Sequence, residues 1–456
     1  MNRFPKASLL LILSAALAPA SDEGVSWSRD VLPIFRTNCV SCHKPGKAKG
    51  GLDLSTFQTL LKGGDDGASI NAGNAKGSLL IDSICGEEPE MPKDSEPLLP
   101  KEIEIISRWI DQGAKADEPT EGGTKRPAQP PIYQSLPAVT ALAFSHDGKF
   151  LAVPGRHEIL LLHGDGSGIA ARLAGDSPRL EAVTFSMDGS LLVASGGAVS
   201  EFGEIQIWNP ARGVLIRSIK ASNDSFFGVS ISPDNQRVAV GCADKLVRVF
   251  AIPDGKELMR CDNHLDWVFG SAFTNDGLRL ATISRDKAAK LIDTTTGQLI
   301  DDINQSRDPL ICLTRHPKDD LIATGGTEGK IRLFRMEPRG GRLSEGDNKE
   351  NSFVREFEHM ASPIFAMAFS HDGSKIACSG QSGEVRIFNA GNGQRLAQIK
   401  SAHGPVFALV FTPDGKFLAT GGSDGHIRFY GVEKGEAIRD MPGFPLQPPV
   451  TPPTPK

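Results

Sequence analysis

From Val139 onward the apolar and polar positions repeat one theme: an apolar alternating run, a turn, a second short run ending in small residues, then a third alternating run. The turn is plainest at Ser145-His146-Asp147-Gly148, Ser186-Met187-Asp188-Gly189, Ser232-Pro233-Asp234-Asn235, Thr274-Asn275-Asp276-Gly277, Arg315-His316-Pro317-Lys318, Ser370-His371-Asp372-Gly373 and Thr412-Pro413-Asp414-Gly415. These seven repeats recur about every 40 residues, the length of one four-stranded blade. The third run is a strand in Ile205-Gln206-Ile207-Trp208, Val247-Arg248-Val249-Phe250, Ile331-Arg332-Leu333-Phe334, Val385-Arg386-Ile387-Phe388 and Ile427-Arg428-Phe429-Tyr430. Looser copies lie at 159–162 and 290–293, and the alternation predicts one buried side with Arg or Gln pointing outward. An all-β seven-bladed propeller is therefore expected over 132–441. The outer strand of its last blade is open between 132–136 and 437–441.

The first quarter of the chain follows a helical period instead. A helix-like stretch runs over 27–37, and Ser55 with Gln58 makes a capping box for a helix over 56–62 that Gly63 and Gly64 stop. In 101–112, Ile103, Ile106, Trp109 and Ile110 form one apolar stripe, with Glu102, Glu104, Arg108 and Asp111 off it. Pro100 precedes that helix where Ser or Thr caps better, which leaves its start open by a residue or two. The stretch 114–131 is rich in Pro, Gly and charge and lacks apolar periodicity. Arg3 and Lys6, the apolar run 7–17 and Ala18-Pro19-Ala20 have the order of a signal peptide. The expected organisation is multidomain: signal peptide 1–20, small all-α domain 21–116, linker 117–131, propeller 132–441 and Pro-rich tail 442–456. No apolar run reaches the roughly 18 residues of a membrane span, so the mature protein is expected to be exported, periplasmic or extracytoplasmic.

The helical domain holds Cys39-Val40-Ser41-Cys42-His43. Two thiols at this spacing can each add to a vinyl group of one haem, with the adjacent imidazole beneath the iron. A thioredoxin-like pair needs a βαβ setting that is absent here. A zinc site needs two more ligands, yet the nearest other cysteine is Cys85 and no second histidine precedes His146. Of eight methionines, Met91 alone lies between the initiator and Met187, which makes it the distal ligand by elimination. The prolines of Glu88-Pro89-Glu90-Met91-Pro92-Lys93 restrict its loop. The remaining cysteines, Cys85, Cys242, Cys261, Cys312 and Cys378, form no disulfide framework, and most of them are expected to be small buried apolar residues.

The segment DVLPIFRTNCVSCH…GGLDL…GSLLIDSI…MPKD…EIISRWIDQGA resembles the cytochrome c domains of secreted planctomycete proteins, over residues 24 to 116. The resemblance implies Cys39 and Cys42 as thioether anchors, His43 as proximal ligand, Met91 as distal ligand and one covalent haem c. Lys93 stands where that family usually has a second proline, a change that loosens the loop without removing the ligand. The repeats from 139 to 441 resemble WD-repeat propellers. Trp208 alone occupies the signature tryptophan position. The hydrogen-bonding set of such blades assembles best as His403, Thr420, Asp424 and Tyr430, and less completely as His264, Thr282 and Asp286. Sets of this kind hold blades together and are no catalytic triad.

Charge narrows the partners. Residues 21–118 hold 11 Lys and Arg against 17 Asp and Glu, and the whole chain has a net charge of −5, which is no nucleic-acid footprint. Lys44, Lys47 and Lys49 follow the haem box, while Asp82, Glu87, Glu88, Glu90, Asp94 and Glu96 surround the Met loop; such runs are more often a solvated face than a steering patch. The reading that follows is an exported mono-haem protein, more an electron carrier than a catalyst with the enzyme question left open, that meets a redox partner protein and whose propeller binds a protein ligand. Two alternatives stand beside it: an oxidoreductase whose propeller holds a substrate or second cofactor site fed by the haem, and a haem-based redox sensor. The first alternative needs convergent ligands, but His157, His163, His316 and His371 are scattered among the repeats. The charged insertion 337–352 lacks apolar anchors and is expected to be a loop.

Overall fold

Four aromatic rings hold the N-terminal unit together: Trp27 meets Phe35 and Phe57 edge-on at centroid distances of 5.6 Å each, and Trp109 at 5.1 Å. This computed structural model describes residues 24–40, 42–43, 48–54, 57–86, 89–93, 95–115, 130–337, 352–400 and 403–446. The expected signal peptide, the capping residue Ser55, most of the linker, positions 338–351 of the insertion and the tail beyond 446 lie outside them. The chain divides into two units, between residues 122 and 123.

In the first unit the expected helix over 27–37 has two parts. Trp27–Val31 is a π-helical turn, because Ser26 O accepts from both Asp30 N–H (3.1 Å) and Val31 N–H (3.3 Å). It leads into α1 (Leu32–Asn38), with Pro33 in the first turn, where a missing N–H costs nothing. Then come α2 (Phe57–Lys62), α3 (Leu79–Ile84) and α4 (Pro100–Asp111). Pro100 belongs to α4 as its first residue. The Glu102 carboxylate accepts from Leu99 N–H at 2.9 Å, which does the capping that no Ser or Thr supplies. Ile106, Trp109 and Ile110 of α4 are buried, as the stripe requires.

The second unit consists of seven antiparallel sheets, each of four consecutive strands. Blade 1 covers 143–174, blade 2 179–222, blade 3 226–261, blade 4 268–305, blade 5 310–356, blade 6 364–400 and blade 7 406–442. Six of the inner turns are built alike. In blade 1, Ser145 Oγ donates to Asp147 Oδ1 (2.8 Å) and accepts from Phe150 N–H (2.9 Å), while Gly148 N–H returns to Ser145 O (2.9 Å). Lys149, then Ser145, holds the Asp147 carboxyl at about 2, and the Ser186 hydroxyl does the same for Asp188. Blade 5 departs from the expected frame by one residue. His316 takes the hydroxyl's place, its Nδ1 accepting from Asp319 N–H at 3.0 Å.

Seven apolar clusters fill the seams between neighbouring blades. Between blades 2 and 3, for example, Ile205 and Ile207 meet Val238 and Phe250. The strand Ala437–Pro442 is the outer strand of blade 7, which settles the alternative left open by the sequence. The segment before blade 1 closes the ring differently. Tyr133 forms a parallel bridge with Leu446, its ring lies 4.9 Å from Phe444, and Val139 N–H donates to Gly422 O (3.0 Å). Tyr133, Val139 and Phe444 are buried in one cluster with Leu151 of blade 1 and Ile427 of blade 7.

The third strands correct one expectation. Arg248, Arg386 and Gln206 are buried, not turned to solvent. Each side chain is paired: Arg248 with Asp244 (2.5 Å), Arg386 with Glu384 (2.8 Å) and Gln206 with Glu204 (2.9 Å). Strict alternation marks which face a residue takes but not whether a carboxylate waits there. Of the five lone cysteines, Cys242, Cys261 and Cys378 are buried, whereas Cys85 and Cys312 are only partly so, and all five are free thiols.

Phe444→Ala should cost about 3–5 kcal/mol, as for other buried Phe truncations, because it opens the seam between blades 1 and 7. Urea unfolding followed by β-sheet circular dichroism checks this, and an unchanged midpoint would remove Phe444 from ring closure.

Candidate functional site

Immediately after α1 the chain turns tightly: Cys42 N–H donates to Cys39 O (3.1 Å) and His43 N–H to the same oxygen (3.0 Å). One turn therefore carries both thiols and the imidazole. His43 is held twice more. Its carbonyl accepts from Leu54 N–H (3.0 Å), and its Nδ1 lies 3.2 Å from Leu52 O. A carbonyl can only accept, so Nδ1 carries the proton and Nε2 keeps its lone pair for a metal. Leu52 is brought there by Gly50 and Gly51, whose φ values of 63° and 65° suit glycine, and a Cβ on Gly51 would collide with the Asp65 carboxylate.

Met91 is half-buried and packs on the apolar cluster that also receives Cys39, Val40 and Cys85. Its N–H donates to Ser83 O in α3 at 2.9 Å, which ties the Met loop to a helix. Burial, and after it the Glu102 carboxylate, pushes the Cys39 thiol up to about 11. A thioredoxin-like pair needs the reverse, a thiolate favoured by a helix N-terminus, whereas Cys39 caps a helix C-terminus. No group of three or more His, Cys, Asp or Glu among the described residues is arranged for a metal ion, so the zinc alternative gains nothing. Two thiols and an imidazole on one turn, with Cys39 and the Met91 thioether packed on one apolar cluster, suit a covalently attached haem.

The propeller offers a second site, which the sequence reading missed. In six blades the inner strand carries a β-bulge, where the register skips Glu181, Phe269, Ile311, Phe365 or Phe407 or, in blade 3, Phe227 with Gly228. A bulged residue leaves the ladder and is re-aimed. Glu181, Phe227, Phe269, Ile311, Phe365 and Phe407, with Thr140, line one open basin of about 650 Å³. Phe227 lies 5.1 Å from Phe269 and 5.7 Å from Trp267, and Phe365 lies 5.7 Å from Phe407. Trp267 is 39% exposed, with the Arg285 guanidinium 4.3 Å above its ring. Burial raises the Glu181 carboxyl above the ordinary range against the pull of Arg179 at 2.7 Å. The signal was present in the sequence: Phe227-Gly228, Phe269-Gly270, Phe365-Ala366 and Phe407-Ala408 share one repeat position. The small partners follow from the narrowing channel, since a Cβ on Gly228 would strike Phe269 O.

Of the two expected blade-stabilising sets, the one at His264 closes fully. His264 is complete in blade 4, with Nδ1 2.8 Å from Asp286 Oδ2 and Nε2 2.9 Å from Thr282 Oγ1. In blade 7 His403 is exposed, and Asp424 pairs with Arg428 at 2.5 Å. Thr420 Oγ1 meets Arg428 O at 3.5 Å. Asp244 with Arg248 and Glu328 with Arg332 repeat the arginine solution at the same i,i+4 spacing.

Together these features define a small helical domain with a Cys-x-x-Cys-His turn, followed by a seven-bladed propeller. The family model described as Planctomycete cytochrome C matches residues 39–95, that for the WD domain, G-beta repeat, matches 213–250 and 394–431, and that for the Anaphase-promoting complex subunit 4 WD40 domain matches 313–409. The chain carries a planctomycete-type cytochrome c domain and a WD-repeat propeller. It is 26% identical over 196 residues to WD repeat-containing protein 55 of Rattus norvegicus (36% of this chain, 51% of the relative). It is also 24% identical over 261 residues to Autophagy-related protein 16 of Arabidopsis thaliana (56% and 48%). The chain thus spans about half the length of these curated relatives.

Asp286→Asn should destabilise the propeller at neutral pH by about 1–3 kcal/mol, because His264 loses a charged, buried partner. Hydrogen bonds from His264, Leu265 N–H and Ala288 N–H outweigh burial and hold Asp286 at about 2. A depressed carboxyl contributes stability above its unfolded value near 4 and loses it as pH falls through its folded value. The gap between variant and parent should therefore close between about pH 4 and pH 2 in thermal unfolding, and a gap constant over that window would contradict the assignment.

Proposed function

We propose that this protein is an exported electron carrier that holds one haem c through thioethers to Cys39 and Cys42, with His43 Nε2 and Met91 sulfur as axial ligands and the propeller as the platform for a partner protein. The hydrogen bond of His43 Nδ1 with Leu52 O carries this reading, since it leaves Nε2 as the free donor. The haem supplies a one-electron iron couple. The chain's own residues do the rest. The Leu52 carbonyl fixes the imidazole's tautomer and angle, the Ser83 carbonyl anchors the Met91 loop, and the cluster around Trp27 and Trp109 shields that side from water. With His43 and Met91 both holding the iron, the domain would exchange electrons and offer a substrate no open position.

Export rests on the leader-like run ending at Ala20 and on the need for haem attachment outside the cytoplasm. No helix among the described residues is long and apolar enough to cross a membrane. The bulged aromatic basin is the surface we assign to the partner, because rigid exposed rings anchor protein interfaces.

Met91→Ala should open the iron to carbon monoxide and lower the reduction potential, because His/Met ligation raises it. An unchanged visible spectrum and potential would remove Met91 from the site. Independently, Phe227→Ala with Trp267→Ala should reduce recovery of the bound partner from the exported fraction at least tenfold, with the haem spectrum untouched. Full recovery would place the interface elsewhere.

A further inference from the structure

His146 and His371 are 225 residues apart in sequence, yet their Nε2 atoms lie 3.2 Å from each other. Their rings are 4.1 Å apart and nearly perpendicular, at 75°. His146 occupies the inner turn of blade 1 and His371 that of blade 6, so the pair reaches across the turn of blade 7, the blade beside which the ring closes. Both side chains are exposed.

Metal–imidazole bonds of about 2.0–2.1 Å put two neighbouring nitrogen donors about 2.9–3.4 Å apart in square-planar or tetrahedral geometry. The observed nitrogen separation falls inside that span, and the ring centroids, 4.1 Å apart, have to open to about 4.5–5.2 Å for both lone pairs to meet on one ion. The turns that carry the imidazoles are stiff. Ser145 and Asp147 brace one, while Ser370 and Asp372 (2.6 Å) brace the other. His316 of blade 5 adds a bond from its Nε2 to Gly373 O at 3.2 Å. Asp147 is engaged by Lys149 at 2.8 Å and does not compete for either ring.

We infer that His146 and His371 form a two-histidine site for a divalent late first-row transition ion, with Cu²⁺ bound more tightly than Zn²⁺ and water in the remaining positions. Imidazole nitrogens suit these ions, and Cu²⁺ heads their affinity order. No third His, Cys, Asp or Glu joins the pair among the described residues, so this is an open site. The ion staples blade 1 to blade 6 across blade 7, and binding to the folded ring alone raises its stability by mass action.

The test is titration of the full-length protein with Cu²⁺, read by electron paramagnetic resonance and by the propeller's unfolding temperature, with His146→Ala and His371→Ala alongside. The expected result is one tightly bound Cu²⁺ with two nitrogen donors, a raised unfolding temperature, and at least tenfold weaker binding in either variant. Zn²⁺ should give the same temperature shift at higher concentration. Parent-like Cu²⁺ binding in either single variant, or no stoichiometric binding in the parent, would overturn the site and leave the contact as an imidazole–imidazole hydrogen bond.

Discussion

A four-stranded blade has two apolar faces and can bury neither by itself, so the propeller is stable only as a closed ring. Six of its seven seams form between blades adjacent in sequence. The seventh has to join the first blade to the last, and here the two ends of the repeat region supply the packing: Tyr133 and Val139 from one side, Phe444 from the other. The outer strand of blade 7 is its own, which leaves the N-terminal segment free to act as a wedge and not as a strand. Closure also fixes the mouth. Inner strands converge on the axis, small residues such as Gly228 and Gly270 permit that approach, and the bulged neighbour one position earlier turns into the basin.

The helical unit meets a different constraint. Fewer than about a hundred residues bury too little apolar surface for comfortable stability, and such domains are commonly stapled. Its rings at Trp27, Phe35, Phe57 and Trp109 tie the first turn to the last helix. The same cluster extends to Cys39 and Met91. On the proposed function, two thioethers and two axial bonds would add the missing cross-links. The core then serves both stability and the exclusion of water from the haem.

Much of this was legible in the chain because the signals are local. The Ser/Thr-x-Asp-Gly turn bonds within five residues, so its recurrence located the blades, and the cysteine–histidine box lies within one turn. Features that depend on register or on distant partners were not legible. The burial of Arg248 and Arg386 follows from Asp244 and Glu384, the bulges exist only relative to a neighbouring strand, and His316 shifted the fifth turn by replacing a hydroxyl. Asp286 meets the His264 imidazole, whereas Asp424 pairs with Arg428, a difference the shared repeat position does not announce. The His146–His371 pair lies beyond any linear motif, since ring closure alone brings blades 1 and 6 within reach across blade 7.

On the proposed function, the box at Cys39 to His43 carries a covalent haem. Intact mass measurement of the exported protein under denaturing conditions tests it most directly, combined with alkylation of free thiols. The expected result is the mass of the mature chain plus one haem, with Cys39 and Cys42 both unreactive to alkylation. A haem-free mass with both thiols alkylated would contradict it.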